Sequence, residues 1–495
     1  MKQKNKDLPT KVAIQSLLRP DLTPVYANKD YFQFVATINC IDKIIRTTGI
    51  EEQIMQITLE RFSSSIQSVK ALSKKVEQAI KAFRTETLRC LLGQDSFRKL
   101  SVEISKSDLL ADFCMARSLL GIKGVSKSSL DRNAKLFCEL ELSQIHQQLT
   151  KNLMQGGAGD QMPTIKSEEQ YVDTTCVEAN IHYPTDWVCL KDYCHSVLKS
   201  IEVIRKHGIL NRIPKDIKDF KVQVNHLCIE MTHARRVKGS KQKRKQVLRE
   251  LKKLTAQIGK HGKKHLIKLQ ESWEESSLSQ KQKDCIAQRL DSFLQLEGRI
   301  VKQAHERIIG GRKVKNEEKI LSIYDLDLEV LKRGKAGKEV EFGNKFYLSE
   351  NEQGYILDFA LCKGNPDDRA MLKKSLYRQD EAGYKQPKSI CADRGFNGGK
   401  IVAELEKKNI VDESCPKDVS QLQEKLKDPD FVRKQKRRAS TEGRIGILKS
   451  KFSLNGLRSQ GYQNRSRSCV WAVISHNLWL LSRQILEREA LQEAA

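Results

Sequence analysis

Residues 389–399 read SICADRGFNGG, a short apolar run that ends at Asp393 and continues into Arg394, Gly395 and Phe396. The apolar residues predict a buried strand, and the glycines after them predict the turn that ends it. Aspartate is depleted in strands, so Asp393 either starts an ordinary turn or delivers a carboxylate to a reaction. Strand ends carry the ligand-binding groups of α/β folds. Taken alone, the stretch leaves both interpretations open.

A second aspartate lies in another strand-like segment. The run QYVDTTCVEANIHYP, residues 170–184, is rich in Val, Thr, Ile and Tyr and contains Asp173. This composition predicts a strand. Asp173 and Asp393 are 220 residues apart, so a long segment must separate the two strands in the chain.

The composition is that of a large, basic, globular protein. The chain has 495 residues, 39% hydrophobic and 31% charged, and its length indicates about three domains. Its 89 Lys and Arg outnumber its 62 Asp and Glu, for a formal net charge of +27. This surplus indicates a polyanionic partner, although a basic protein that is merely soluble would have the same composition.

The cysteines indicate neither zinc nor disulfides. There are 13 cysteines without a CxxC pair, and the clusters around Cys194 and around His261 do not complete a zinc ligand set. We therefore expect reduced thiols in a cytosolic protein. The longest apolar run, 469–481, contains Ser, His and Asn and is too short to cross a bilayer, so it predicts a buried helix and no membrane partner.

The first 165 residues predict a helical domain. Their apolar residues recur three and four positions apart, and residues 99–138 contain two helical patterns around GIKGVSKSSL. That layout is typical of a helix-turn-helix, but any pair of antiparallel helices has the same pattern. Three glycines and a proline in residues 154–164 predict the boundary of this domain.

Residues from about 190 to 310 predict long, charged helices. Within 238–268 there are 12 Lys and Arg and a single acid, Glu250. A solvated helix surface would also carry such a run, but so unequal a ratio favours contact with phosphates. The basic residues that we expect to contact DNA are Lys241, Lys243, Arg244 and Lys245.

The residues that follow alternate between strand and helix patterns. We predict a strand at 319–332, a hairpin within 341–368, a short helix at 369–378 and the strand that ends at Asp393. From about residue 430 the pattern is helical again. This order predicts an α/β fold with one large helical insertion.

A helix predicted at 437–452 carries a third acid. Arg438, Glu442 and Lys449 are spaced four and seven residues apart, which places them near one helix face. An ordinary ladder of surface ion pairs would have the same spacing. Together with Asp173 and Asp393, however, Glu442 completes a set of carboxylates that suits two Mg²⁺ ions.

Four other acids rank below this set. Two of them follow Asp173 at odd offsets, which place strand residues on the opposite face of a sheet, and two belong to the turn-forming sequence GNPDD. These acids are Glu178, Asp186, Asp367 and Asp368.

Three blocks that contain the candidate residues resemble the catalytic blocks of bacterial insertion-sequence transposases of the DDE class. The blocks are DTTCVEANIHYPTD (173–186), ADRGF (392–396) and RASTEGRIGILK (438–449). The resemblance implies an RNase H-like α/β catalytic domain, a mixed sheet flanked by helices, formed by residues 166–190 and 310–485. It also implies a helical DNA-binding and assembly domain at 1–165, a basic helical insertion at 191–309 and a tail at 486–495.

The last block of the family carries a Tyr-Arg-Glu-Lys signature. Arg438, Glu442 and Lys449 match its last three members, and the position of the tyrosine falls on Gln435. This departure puts an aromatic contact to transposon DNA in doubt and leaves the acidic residue in place.

The resemblance also implies a reaction and its participants. Asp173, Asp393 and Glu442 would hold two Mg²⁺ ions, for which Mn²⁺ is a substitute, while the enzyme cuts the ends of an element and joins the 3′-hydroxyl to target DNA. Arg438 and Lys449 would lie beside phosphates. Arg394 would do the same or pair with a structural carboxylate.

The implied partners are double-stranded DNA, as terminal inverted repeats and as target, and a second copy of the chain in the DNA complex. The implied location is the bacterial cytoplasm, in association with the nucleoid. Two alternatives stay open: an RNase H-fold nuclease that does not join strands, and a domesticated DNA-binding protein without catalysis.

Overall fold

The structure, a computed structural model, describes residues 28–118, 121–122, 124–156, 162–234, 238–335, 338–454 and 461–493. Two compact units divide the chain. Unit 1 consists of Met1–Glu178, Asn344–Ser459 and Gln463–Ala495, and unit 2 consists of Ala179–Gly343 and Gln460–Tyr462. The domain boundaries given above remain a prediction.

The first part of unit 1 is helical, as predicted. Its helices are α1 (Lys29–Thr47), α2 (Ile50–Phe62), α3 (Val69–Leu91), α4 (Phe97–Lys106), α5 (Asp108–Phe113), α6 (Lys127–Asn133) and α7 (Glu139–Met154). Serine side chains cap several of them: Ser68 accepts a hydrogen bond from the amide of Ala71, and Ser96 accepts one from Lys99. In the segment that resembles a helix-turn-helix, the short strands β1 (Arg117–Ser118) and β2 (Gly121–Ile122) pair antiparallel.

The sheet of unit 1 is mixed. Its strands are β3 (Glu169–Glu178), β5 (Lys338–Asn351, which belongs to unit 1 from Asn344), β6 (Ile356–Leu361), β7 (Ser389–Cys391) and β8 (Val411–Asp412). The spatial order is β6-β5-β3-β7-β8. The pair β5 and β6 is antiparallel and forms the predicted hairpin, whereas β3 with β7 and β7 with β8 are parallel.

Helices flank this sheet, which confirms the predicted α/β class. They are α12 (Asp368–Glu381), α13 (Gly399–Lys407), α14 (Val419–Lys425), α15 (Pro429–Ser450) and α16 (Tyr462–Glu493). One hydrophobic core joins strand residues such as Val172 and Ile390 to Leu372 of α12 and Leu405 of α13. Phe396, in the loop after Asp393, is buried in the same core.

Helix α16 contains the long apolar run and is buried as predicted. Its Trp471 is 2% exposed, and its ring centroid lies 5.3 Å from that of Phe83 in α3. Burial of these large rings accounts for the apolar sequence of this helix. Among the described residues, no helix is long and apolar enough to cross a membrane.

Unit 2 is built around four long helices. These are α8 (Asp186–Lys206), α9 (Ile217–His233), α10 (Ser240–Glu271) and α11 (Gln280–Ala304). Their apolar faces form one core that includes Leu190, Leu248 and Leu290. The short strand β4 (Glu329–Lys335) pairs antiparallel with the part of β5 that belongs to unit 2.

The strand predicted from residue 319 begins later than expected, at Glu329. The apolar residues Ile320 and Ile323 instead pack into the helical core of unit 2. The side chain of Gln303 also accepts a hydrogen bond from the amide of Ile320 at 2.8 Å and donates one to its carbonyl at 3.1 Å. These contacts satisfy backbone groups that a strand would otherwise pair, so the local apolar pattern was misleading.

Candidate active site

The parallel pairing of β3 with β7 brings the two aspartates level with each other. Tyr171 lies opposite Cys391 in this ladder. Asp173 is two residues after Tyr171, and Asp393 is two residues after Cys391. Parallel strands have the same rise per residue, so the two aspartates are expected at similar levels. The two carboxylates therefore lie at similar levels of adjacent strands, Asp173 within β3 and Asp393 just beyond the end of β7, although they are 220 residues apart in the chain.

Asp173 lies in an environment that disfavours its negative charge. Burial raises the pKa of its carboxyl to about 6, and the charges of Asp393 and Glu442 also raise it, whereas the amide of Thr174 and the charge of Arg438 lower it. The Thr174 amide donates to Asp173 Oδ1 at 2.6 Å. The structure therefore brings Asp393, Glu442 and Arg438 within electrostatic range of Asp173.

A glycine makes room for two carboxylates at the end of β7. The amide of Gly395 donates to Asp393 Oδ1 at 2.8 Å. A Cβ atom on Gly395 would lie 2.9 Å from Asp368 Oδ2 and 3.0 Å from Asp393 Oδ1. Both distances are shorter than a normal contact, so a larger residue would force the carboxylates to move.

Asp368 is the acid whose position the sequence did not reveal. Its Oδ1 accepts a hydrogen bond from Lys345 Nζ at 3.0 Å and one from Thr174 Oγ1 at 3.4 Å. Its sequence context, GNPDD, is typical of a turn, but the structure places it beside Asp393 and beside the residue that follows Asp173. The only signal in the sequence was its position shortly after a predicted strand.

Helix α15 carries the remaining candidates. Asp428 caps its N-terminus, and Pro429 occupies its first turn, so the helix begins where the sequence favours it. Arg438 Nη1 lies 4.0 Å from a carboxylate oxygen of Glu442, whose side chain is 66% exposed. Lys449 lies in the last turn of the same helix and is partly buried.

Gln435 connects this helix to the strand ends. Its Nε2 donates to the carbonyl of Glu413 at 2.7 Å and to the carbonyl of Ala392 at 3.4 Å. Its Oε1 accepts a hydrogen bond from Arg438 Nε at 3.2 Å. Gln435 thus holds Arg438 beside the segment that follows β7.

Among the described residues, Arg394 forms no ion pair with a carboxylate, which was one of the two roles that the sequence left open. It is exposed, and its Nε donates a hydrogen bond to Cys415 Sγ at 3.4 Å.

Two of the low-ranked acids have structural roles. Asp367 caps α12 by accepting from the amide of Arg369 at 2.9 Å, and hydrogen bonds from the Arg369 side chain lower the pKa of its carboxyl to about 2. Within unit 2, Asp186 is buried and accepts hydrogen bonds from Gln303 at 3.0 Å and Arg307 at 2.8 Å. These hydrogen bonds explain why both positions carry an acid, without a role in chemistry.

The basic candidates of unit 2 lie near the start of α10. Lys241 is exposed, whereas Lys243 pairs with Glu230 at 2.5 Å and Arg244 lies 5.9 Å from the centre of the Trp187 ring. Lys245 is partly buried. The exposed cations of the helix continue beyond these residues at Arg249, Lys253, Lys260, Lys263, Lys264 and Lys268.

The side chains do not form a closed metal cage as they stand. Within the parts of the chain that the structure describes, no three His, Cys, Asp or Glu side chains lie close enough to hold one metal ion. The assignment of Asp173, Asp393 and Glu442 as ligands therefore stays a prediction.

A comparison with known families gives a match for part of the chain. A family model described as a transposase DDE domain matches residues 332–478. The matched region contains Asp393, Arg438, Glu442 and Lys449 and begins after Asp173. No curated protein and no solved structure gives a significant match.

Residues 332–478 are thus similar to a transposase DDE domain, and the mixed sheet flanked by helices is that of an RNase H-like α/β fold. The match supports the resemblance to insertion-sequence transposases of the DDE class that the sequence blocks indicated. Proteins of this class act on DNA and use divalent metal ions.

Proposed function

We propose that the protein cuts the ends of an insertion sequence and joins the freed 3′-hydroxyl to target DNA by phosphodiester transfer. The observation that supports this most directly is the parallel register that places Asp173 level with Asp393. Glu442, on the adjacent helix, is near enough for its charge to raise the pKa of Asp173. Strand transfer without a covalent enzyme intermediate needs such carboxylates and no nucleophilic side chain.

The residues present suit divalent cations. Asp173, Asp393 and Glu442 offer only hard oxygen donors, which Mg²⁺ prefers, with Mn²⁺ as a substitute. A buried carboxylate beside two other acids is also an unfavourable arrangement that a cation would relieve. When bound, two ions would activate the attacking oxygen and stabilise the leaving oxygen of the phosphodiester.

The remaining residues would position DNA. Arg438 is held by Gln435 beside the strand ends, where its planar guanidinium would bind a phosphate oxygen. Lys449, in the last turn of the same helix, would contact a phosphate as a point charge. Arg394 would contact another phosphate from the loop after Asp393.

Lys241, Lys243, Arg244 and Lys245, with the exposed cations that follow them on α10, would bind the backbone of double-stranded DNA. The DNA would be the terminal inverted repeats and the target, bound by a homodimer in the bacterial cytoplasm, in association with the nucleoid. Each phosphate contact releases counterions, so DNA affinity would fall with salt with a log–log slope of about 0.9 per contact.

The test combines a labelled terminal-repeat duplex, read from the DNA that flanks the gene, with a target plasmid and Mg²⁺. We expect the wild-type protein to give cleaved ends and joined products, and Asp393→Asn to give neither. Asp380→Asn is the matched control, because Asp380 lies at the far end of α12 and pairs with Lys408 at 2.9 Å.

Two results would contradict the proposal in different ways. Cleavage without any joined product would indicate a nuclease. Binding of the duplex without cleavage, or equal activity of the wild type and Asp393→Asn, would indicate a DNA-binding protein without this catalytic site.

A further inference from the structure

A buried carboxylate holds the helix that carries Glu442. Glu350 lies in β5 and is 0% exposed. Its Oε1 accepts hydrogen bonds from Arg437 Nη1 at 2.9 Å and Thr441 Oγ1 at 2.8 Å. Its Oε2 accepts one from Arg444 Nε at 3.2 Å. We call Glu350, Arg437, Thr441 and Arg444 the Glu350 clamp.

The clamp determines how α15 is rotated about its axis. Its three helical members are four and three residues apart, so they lie on one helix face. Arg438 follows Arg437 directly, and Glu442 follows Thr441 directly, so each is turned by about 100° from a clamp residue. A helix whose inner face is fixed in this way also has a fixed direction for Glu442.

The clamp reaches the strand that carries Asp173. Arg437 also donates to the carbonyl of Asn351 at 2.8 Å, at the end of β5, and to that of Glu352 at 2.9 Å, in the turn that follows. Its guanidinium lies 4.6 Å from the centre of the Tyr171 ring, and Tyr171 precedes Asp173 by two residues. One side chain therefore links α15 to both β5 and β3.

The turn between β5 and β6 is shaped to admit Arg444. Gly354 has a φ of +85°, a conformation that favours glycine. A Cβ atom at this position would also overlap the Arg444 guanidinium. Gly354 thus satisfies both the backbone of the turn and the space that the clamp requires.

We propose that Glu350 is a positioning residue of the strand-transfer reaction: it fixes α15 on the sheet so that Glu442 is held near Asp173 and Asp393. The proposal rests on the proposed function, because Glu350 acts through Glu442. Burying a carboxylate among cations has a desolvation cost that apolar packing would avoid. We therefore attribute the arrangement to the position of α15 that it fixes, and not to stability.

The test compares Glu350→Gln with Asp358→Asn in the full chain. Asp358, on the neighbouring strand β6, is 8% exposed and accepts a hydrogen bond from Arg378 Nε at 3.0 Å. It is a control because it is also a buried carboxylate of unit 1, and its partner Arg378 lies in α12 rather than in α15. The measurements are the half-saturating Mn²⁺ concentration of the protein, terminal-repeat binding without metal, strand cleavage and thermal unfolding.

We expect Glu350→Gln to raise the half-saturating Mn²⁺ concentration by about tenfold or more, as loss of a supporting partner does in metal sites. Binding of DNA without metal should stay unchanged. Asp358→Asn should lower the unfolding temperature and leave the Mn²⁺ titration unchanged. Equal Mn²⁺ titrations of the two variants would overturn the proposal, because Glu350 would then have only a structural role.

Thr441→Val covers the case in which Glu350→Gln does not fold. It removes one hydrogen bond of the clamp and keeps both arginines, so we expect the half-saturating Mn²⁺ concentration to rise about threefold. An unchanged value would count against the clamp. A wild-type protein that binds Mn²⁺ but cleaves no DNA would overturn the proposed function, and the titrations would still decide on Glu350.

Discussion

The strand that carries Asp173 and the helix that carries Glu442 hold their carboxylates by different means. Asp173 is set level with Asp393 by the backbone ladder of β3 and β7, and burial raises the pKa of its carboxyl to about 6. Glu442 has a side chain that is 66% exposed, on a helix held through side chains of its other face. The backbone thus fixes the strand carboxylates, whereas a network of side chains fixes the helix carboxylate.

The largest expected effect is common to both regions. Asp173→Asn and Glu442→Gln should each reduce strand cleavage by at least about 10³-fold, or ~4 kcal/mol of transition-state stabilisation, because either change removes a metal-binding charge. Gel analysis of a labelled terminal-repeat duplex measures this. Residual cleavage close to the wild-type rate in either variant would remove that residue from the site.

Stability should separate the two regions. The pKa of Asp173 is raised from 3.8 to about 6, so its ionised form destabilises the metal-free fold, by about 3 kcal/mol at pH 7.5. Because the folded protein binds this proton more tightly, the cost grows as pH rises from about 4 to about 6. Without divalent ions, urea unfolding at pH 7.5 should show Asp173→Asn to be more stable than the wild type.

The same measurement on Glu442→Gln supplies the comparison. An exposed side chain contributes little to stability, so the free energy of unfolding of Glu442→Gln should differ from that of the wild type by less than about 0.5 kcal/mol. At pH 4 the gain of Asp173→Asn should disappear as well. A destabilised Asp173→Asn at pH 7.5 would show that the carboxylate is held by favourable contacts instead.

Substitution of one glycine in each region by alanine tests how closely the end of β7 is packed. Gly395→Ala should lower the cleavage rate by about 10²-fold, because the added Cβ would displace the carboxylates of Asp368 and Asp393. Gly446→Ala, in α15, has open space around the added atom and should leave the rate unchanged. Cleavage rates at saturating Mg²⁺ compare the two, and equal rates would mean that the strand end tolerates such movement.

The smallest effect concerns the link between the regions. Gln435→Leu removes the hydrogen bonds to the Ala392 and Glu413 carbonyls and to Arg438. We expect the rate to fall about tenfold, equivalent to one or two hydrogen bonds, with little change in stability. The exposed Gln423→Leu is a control, and a rate of Gln435→Leu equal to that of the control would deny Gln435 a positioning role.

Much of the fold was predictable from local patterns. Composition rich in strand-forming residues predicted the strand around Asp173 and the hairpin of β5 and β6, and spacing predicted a helix with Arg438 and Glu442 near one face. The apolar run of α16 also predicted its burial. These features depend on neighbouring residues, which the sequence shows directly.

The contacts between distant segments were not predictable in this way. Nothing near Asp173 or Asp393 specifies that Tyr171 pairs with Cys391, because register depends on the whole sheet. Glu350 lies within the predicted hairpin, and its burial depends on partners about 90 residues away in α15. The sequence around Asp368 indicated only a turn, because its neighbour in the folded chain, Gly395, is distant in sequence.

Metal binding tests the central claim most directly. Free Mn²⁺ is measured by electron paramagnetic resonance during titration of the wild-type protein with its terminal-repeat duplex at pH 7.5, and then with Asp173→Asn, Asp393→Asn and Glu442→Gln. We predict that the wild type binds Mn²⁺ and that each variant weakens binding by at least about tenfold, while Asp380→Asn binds like the wild type. Mn²⁺ binding by all three variants with the wild-type affinity would contradict the account.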